Sequence, residues 1–239
     1  MKAAGGCGSW WLAAAAGGWS VGGWSVAAVV AWERVYAAIK DLKDSCMLLR
    51  SETEEHVKMH DLVRDVAIQI ASSKEYGFMV LKKWPRSIES VEGCTTISLE
   101  LTKLPEALVC PRLKVLLLEL GDNLNVPGRF FEGTTAIEVL SLKGGCLSLQ
   151  SLELSTNLLS LFLIACKCKD LIWFRKLQRL EILVFKWCLS IEELPDEIGE
   201  LKELRLLDVT GCKSLKRIPM NLIQKFGEIR RTADRERQL

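Results

Sequence analysis

A pattern of apolar residues that recurs after 24 positions constrains this 239-residue chain more than any other feature. Two segments, starting at Leu177 and Leu201, superpose with the shared spacing LxxLxxLxLxxCxxLxxLP. The eight matched positions are Leu177, Leu180, Leu183, Phe185, Cys188, Ile191, Leu194 and Pro195, which align with Leu201, Leu204, Leu207, Val209, Cys212, Leu215, Ile218 and Pro219. One such segment is too short to bury its own leucines, so consecutive copies must stack and share a continuous core.

Less regular copies of the same pattern precede these two. The predicted central strand residues are Ile97, Leu116, Leu140, Leu161, Leu183 and Leu207, which lie 19, 24, 21, 22 and 24 positions apart. These steps are those of leucine-rich repeats, in which each copy contributes one strand to a parallel sheet. The sequence therefore predicts an α/β fold, a leucine-rich-repeat solenoid of about six repeats over residues 90–226, with its parallel strands on the concave face.

Strand residues that alternate with the buried leucines are expected to point outward on that face. They are Ser98, Glu100, Glu119, Ser141, Lys143, Phe162, Ile164, Val184, Lys186, Asp208 and Thr210. A surface that mixes charged and apolar side chains suits protein contact, so these residues are the candidate partner-binding set. The alternative is that some of them pack against a neighbouring domain.

Residues 33–80 have a different organisation. The apolar spacing predicts a helix over 33–44, a short strand over 45–49 and a second strand over 56–59. Asp61 is a favourable helix cap, and the apolar positions Leu62, Val63, Val66, Ala67 and Ile70 predict the buried face of a helix that reaches about Ser72. Helix, hairpin and helix in this order indicate the end of a winged-helix domain.

Residues 1–32 match neither pattern, because no charged residue lies between Ala3 and Trp32 and five of the eight tryptophans are found there. This stretch could span a membrane, act as a signal peptide with Lys2 as its basic region, or be a low-complexity leader, including one from a misplaced gene start. We favour the low-complexity leader, because glycine weakens helices and because the following residues look intracellular. At the other end, residues 227–239 are expected to be a charged tail.

The composition argues against several classes of function. With 32 basic and 30 acidic residues the net charge is +2, which gives no electrostatic case for nucleic acid as a partner. The nine cysteines include no CxxC pair, and Cys166, Cys188 and Cys212 recur in register with the repeats, so we interpret them as structural rather than metal-binding or redox-active. His56 and His60 are the only histidines, and neither stands in a catalytic context. We expect no enzymatic activity.

A short run over residues 57–67, VKMHDLVRDVA, carries a family resemblance. It resembles the Met-His-Asp region of plant nucleotide-binding, leucine-rich-repeat disease-resistance proteins, and residues 37–43 and 46–49 resemble their coiled-coil class. The resemblance implies an immune receptor that is cytoplasmic, or that is membrane-associated through residues 1–32. Such a receptor recognises a pathogen effector or a guarded host protein and signals through an ADP/ATP switch. The resemblance also implies that His60, flanked by Met59 and Asp61, contacts the phosphates of ADP.

The phosphate-cradling GxxxxGK[ST] segment is missing from the sequence. We therefore expect an N-terminally truncated fragment of such a receptor that binds no cofactor by itself, although the full-length family uses ADP and ATP. Its repeats would contact the nucleotide-binding domain in cis or in trans. The alternatives are a stand-alone repeat scaffold that binds a protein without nucleotide switching, and a non-functional truncated gene product.

Overall fold

The computed structural model divides the chain into two units, Met1–Ala71 and Ser72–Leu239. The structure describes residues 37–50, 57–71, 77–81, 93–121, 123–147, 152, 154–168 and 171–226. The predictions for the leader at 1–32 and for the tail at 227–239 lie outside these residues.

The described part of the first unit contains the predicted helix, hairpin and helix. A helix over 37–44 is followed by strands β1 (Leu48–Arg50) and β2 (Val57–Met59), which pair antiparallel, and by a helix over Asp61–Ala71. Strand β1 begins three residues later than predicted. The reason is a turn in which Cys46 adopts φ 57° and the Met47 N–H donates to the Leu42 carbonyl oxygen at 2.9 Å. This is a common way to end a helix, and it occupies the residues that the sequence assigned to the strand.

The predicted buried face of the Asp61–Ala71 helix is exposed in the structure, which corrects that expectation. Leu62, Val66 and Ile70 are 71%, 55% and 57% exposed. The spacing correctly identified an amphipathic helix, but the described elements of this unit are too few and too short to cover its apolar stripe.

The second unit is built on a parallel sheet of seven strands in the order β12-β11-β9-β7-β5-β4-β3. Its strands are β3 (Phe78–Leu81), β4 (Thr96–Leu101), β5 (Val115–Leu120), β7 (Val139–Lys143), β9 (Ser160–Ile164), β11 (Ile182–Lys186) and β12 (Leu206–Asp208). A second, three-stranded parallel sheet contains β6 (Asn125–Val126), β8 (Cys146–Leu147) and β10 (Lys167–Cys168). The remaining helical elements are 3-10 helices at Ile172–Lys176 and Asp196–Ile198 and an α-helix at Met220–Phe226.

The register of the large sheet confirms the repeat assignment. The six predicted central residues face one another in a single column, Ile97, Leu116, Leu140, Leu161, Leu183 and Leu207. All six are buried. The chain is therefore the parallel solenoid that the leucine spacing predicts.

The sheet begins earlier than residue 90, where the repeats were predicted to start. Met79 pairs with Ile97 and extends the column by one strand, so β3 belongs to the solenoid and not to the winged-helix segment assigned to 33–80. Strand β3 is only four residues long and no repeat phrase follows it, which explains why the periodicity did not reveal it.

The core lies behind the sheet and is filled by leucines together with a few aromatic rings. Phe130 and Phe131 meet edge to face with centroids 5.0 Å apart, and Phe174 approaches Phe185 in the same manner at 5.9 Å. Such large rings fill the space between the sheet and the short return segments, where the described residues have 3-10 turns instead of long helices. In the described part of the chain no helix is both long enough and apolar enough to cross a bilayer.

Candidate protein-binding surface

The concave face of the solenoid presents three rows of side chains that run across the strands. We call them the first, middle and third rows, in the order in which each strand crosses them. Since side chains alternate along a strand, these rows are separated by the columns of buried leucines.

The first row is mainly apolar and was missed by sequence analysis. It consists of Phe78, Thr96, Val115, Val139, Ser160, Ile182 and Leu206. All seven are half-buried, so each offers part of its side chain to a partner. The signal was present as an apolar residue directly before most of the buried central residues, but the same pattern fits strands that are buried on both faces.

The middle row contains Ser98, Leu117, Ser141, Phe162, Val184 and Asp208 in register. The structure corrects two expectations here, because Ser98 and Val184 are only 6% and 4% exposed and offer little surface to a partner. Phe162 is half-buried, and Leu117, which the sequence prediction omitted, takes the place between Ser98 and Ser141. Phe162 and Leu117 are therefore apolar contacts that this row can supply.

The third row carries the charges, and its members are Glu100, Glu119, Lys143, Ile164, Lys186 and Thr210. Lys143 is ion-paired with Glu119 on the preceding strand of the sheet. Lys186 Nζ lies 3.7 Å from Asp208 Oδ2, and Asp208 Oδ1 also accepts the Thr210 N–H at 2.8 Å. Ion pairs this accessible add little stability, but they fix where each charge lies.

His60 lies at the start of the Asp61–Ala71 helix in the first unit. Its Nδ1 accepts the N–H of Leu62 at 3.2 Å, so the neutral ring carries its proton on Nε2. The Arg64 guanidinium is held by Asp61 at 2.8 Å and by Asp65 at 3.0 Å, and the hydrogen bond to Asp65 and the charge of Asp61 raise its pKa. His60 Nε2 can therefore donate one hydrogen bond, while the Arg64 guanidinium is engaged by Asp61 and Asp65. Met59 is 37% exposed.

Three of the buried cysteines bind backbone carbonyls, as their structural interpretation requires. The thiol contacts are Cys166 Sγ to Leu142 and Gly144 oxygens, both at 3.2 Å, Cys188 Sγ to the Leu163 oxygen at 3.3 Å and Cys212 Sγ to the Phe185 oxygen at 3.4 Å. Burial among neighbouring thiols raises the pKa of Cys166, Cys168 and Cys212. In the described residues no group of three or more histidine, cysteine or acidic side chains is arranged to hold a metal ion.

Several curated proteins of similar sequence are named as disease resistance proteins. A disease resistance protein of Arabidopsis thaliana is 30% identical over 209 residues, which is 80% of this chain and 21% of that protein. A second, described as a probable disease resistance protein, is 31% identical over 76% of this chain, and the disease resistance protein SUMM2 is 31% identical over 78% of it. The aligned regions are 16% and 17% of those two proteins. No protein-family model matches the chain. The chain spans about a fifth of the length of the curated relatives it matches.

Proposed function

Because the chain belongs to the plant disease-resistance proteins of the nucleotide-binding, leucine-rich-repeat type, we propose that it serves as the protein-sensing part of a cytoplasmic immune receptor. In this proposal the concave face binds a protein, which is a pathogen effector, a guarded host protein, or the nucleotide-binding region in cis or in trans. The chain performs no catalysis.

The observation that carries the proposal is the arrangement of the concave rows. An apolar first row borders a middle row with Phe162, and the third row adds charges that are fixed by the Lys143–Glu119 and Lys186–Asp208 pairs. Apolar contact area beside ordered charges is the composition of protein-binding surfaces, where the charges select the partner and the apolar groups supply affinity.

Nucleotide switching enters the proposal only through His60. The Nε2–H group of His60 would donate to a phosphate oxygen of ADP, with Met59 and Asp61 beside it, once a phosphate-binding loop is supplied by another region. ADP contributes the charged phosphates that such a histidine can hold in place. His60 offers a single donor and the Arg64 guanidinium is held by Asp61 and Asp65, so we propose that this chain alone does not retain ADP.

A stand-alone scaffold without nucleotide switching is the second candidate. It is favoured by the observation that the solenoid forms a compact unit distinct from the segment that contains His60. The two candidates differ in one respect. Replacing His60 changes signalling only if the switch operates, whereas replacing a concave residue abolishes partner binding under both.

The proposal is tested by quantitative affinity enrichment from leaf tissue with three versions of the full chain. Ile182→Glu places a charge in the first row, and Ile223→Glu makes the same change on the Met220–Phe226 helix, where Ile223 is 41% exposed. The expected result is a partner that is retained by the parent and by Ile223→Glu and is lost with Ile182→Glu. Equal enrichment by all three proteins would refute concave-face binding. His60→Ala, tested in the same assay, separates the switch from the scaffold.

A further inference from the structure

Lys186 and Asp208 form an ion pair on the concave face in which the two charged groups are not hydrogen-bonded to each other. Lys186 Nζ lies 3.7 Å from Asp208 Oδ2, which is beyond hydrogen-bond length, and the two side chains are 26% and 12% exposed. The other oxygen of Asp208, Oδ1, accepts the N–H and the hydroxyl of Thr210. Among the residues that the structure describes, none is hydrogen-bonded to Lys186 Nζ or to Asp208 Oδ2. The pair therefore presents one open donor group beside one open acceptor.

The other lysine of the third row, Lys143, is engaged differently. Its ammonium group is hydrogen-bonded to the Glu119 carboxylate on the preceding strand of the sheet. Lys143 and Lys186 occupy equivalent places in the sheet, because Ile164 pairs in register with Lys143 on one side and with Lys186 on the other. The two lysines thus share a row and a neighbour, and they differ in whether the adjacent carboxylate accepts a hydrogen bond from them.

The open pair stands beside the apolar part of the concave face. Val184 pairs in register with Phe162 on one side and with Asp208 on the other, and Ile164 pairs with Lys186. Adjacent strands are about 4.8 Å apart, so Phe162 and Ile164 lie within about 10 Å of the pair. A partner side chain that reaches Lys186 and Asp208 therefore has apolar contacts close by on the same face of the sheet.

The charges of the pair select a neutral group that both accepts and donates. A carboxylate would accept from Lys186 but would bring a second negative charge beside Asp208, and an ammonium group would be placed against Lys186. A primary carboxamide carries an oxygen acceptor and an NH2 donor on one carbon and has no net charge. Its oxygen can accept from Lys186 Nζ while its NH2 group donates to Asp208 Oδ2, each over about 2.9 Å. A partner group without both functions would leave a polar atom unpaired in the interface, which is costly.

We propose that Lys186 and Asp208 bind the side-chain carboxamide of a glutamine or asparagine in the partner protein. Apolar side chains next to that residue pack against Phe162 and Ile164. This inference rests on the concave-face binding proposed above and adds which side chain that face selects.

The test uses fluorescence anisotropy with the full chain and four labelled heptapeptides that alternate serine and leucine around a central residue. Leucine stands two positions to either side of the centre, so in an extended peptide both leucines face the same way as the central side chain. The central residue is glutamine, glutamate, lysine or methionine. The expected result is saturable binding of the glutamine peptide that is at least tenfold tighter than binding of the other three. Equal binding of all four, or no saturable binding of the glutamine peptide at millimolar protein, would overturn the proposal.

Two lysine variants provide a matched comparison. Lys186→Met removes the open donor and should weaken binding of the glutamine peptide at least tenfold. Lys143→Met makes the same change in the same row, two strands away, and should alter binding less than threefold, because Lys143 is already engaged by Glu119. Equal losses in the two variants would contradict the assignment of the open donor to Lys186.

An exchange of preference separates recognition from loss of fold. Asp208→Asn preserves the shape of the side chain but leaves the charge of Lys186 uncompensated, so binding of the glutamate peptide should gain at least tenfold relative to the glutamine peptide. This ratio is measured within one protein and does not depend on how much of it is folded. An unchanged ratio would overturn the proposal.

The enrichment experiment with Ile182→Glu reports separately on concave-face binding. If Ile182→Glu loses a partner while the four peptides bind the parent equally, the carboxamide inference is overturned and concave-face binding stands. If the glutamine preference is found but Ile182→Glu retains every partner, the function proposed above fails and the carboxamide site stands.

Discussion

The thiol of Cys188 donates a hydrogen bond to the carbonyl oxygen of Leu163, 25 residues earlier in the chain, over 3.3 Å. Both residues are fully buried. Leu163 is the penultimate residue of β9, so the bond links the turn after β11 to the end of the strand in the preceding repeat. Buried backbone groups that lack such a partner are costly, which explains why a small donor recurs at this position.

Removing this donor should destabilise the solenoid. We expect Cys188→Ala to lower the free energy of unfolding by about 1–3 kcal/mol, because a buried carbonyl loses its partner and a small cavity forms. Chemical denaturation of the full chain measures the change. Cys46→Ala is the matched control, since Cys46 is exposed, and should change stability by less than about 0.5 kcal/mol. Equal effects of the two substitutions would refute the structural role of Cys188.

Gly211 should tolerate no side chain. Gly211→Ala imposes a Cβ on a residue with φ 74° and directs it against the Trp187 indole, so we expect a loss of about 1–3 kcal/mol in unfolding free energy. Gly93→Ala is the comparison, because a Cβ there meets nothing within 4 Å and Gly93 does not have a positive φ. If thermal denaturation showed that Gly211→Ala is as stable as Gly93→Ala, the assigned packing of the Trp187 indole on Gly211 would be refuted.

The buried thiol of Cys94 should make stability fall in alkaline solution. Burial raises the pKa of Cys94 above its ordinary value, so the folded chain retains this proton at a pH where the unfolded chain loses it. The associated stability is complete below the unfolded pKa of about 8.5 and declines as pH rises above it. Denaturation between pH 8 and about 9.5 should therefore show a smaller decline for Cys94→Ser than for the parent. Cys46→Ser should retain the parental decline, and an identical decline in all three proteins would contradict this assignment.

ADP should not bind the chain alone. His60 offers one donor, and Arg64 is held by Asp61 and Asp65, so we expect isothermal titration with ADP to show no binding at micromolar concentrations. His60→Ala should give the same titration as the parent. Micromolar binding that is lost in His60→Ala would mean that the chain contains a nucleotide site of its own.

The leucine spacing predicted the sheet but not its full extent. Each central leucine from Leu116 to Leu207 was located correctly because burial on one face imposes a strict register on parallel strands. Strand β3 was missed because it has no repeat phrase after it, and tertiary pairing with β4 defines it.

The binding surface was predicted less completely than the fold. The third row was anticipated because charged residues stand between buried leucines, as Glu100 and Glu119 do. The sequence alone could not assign the apolar residues of the first row, such as Ile182 and Leu206, to the surface rather than to the core. An apolar residue gives the same sequence pattern on either face of a strand.

Site-specific photo-crosslinking in leaf cells tests the central claim, that the concave face binds a protein, most directly. A photoreactive amino acid replaces Phe162 in the middle row, and in a second version it replaces the exposed Lys202. The account predicts a discrete crosslinked protein with the probe at position 162 that is absent with the probe at position 202. Crosslinks of equal yield at both positions, or none at position 162, would contradict it.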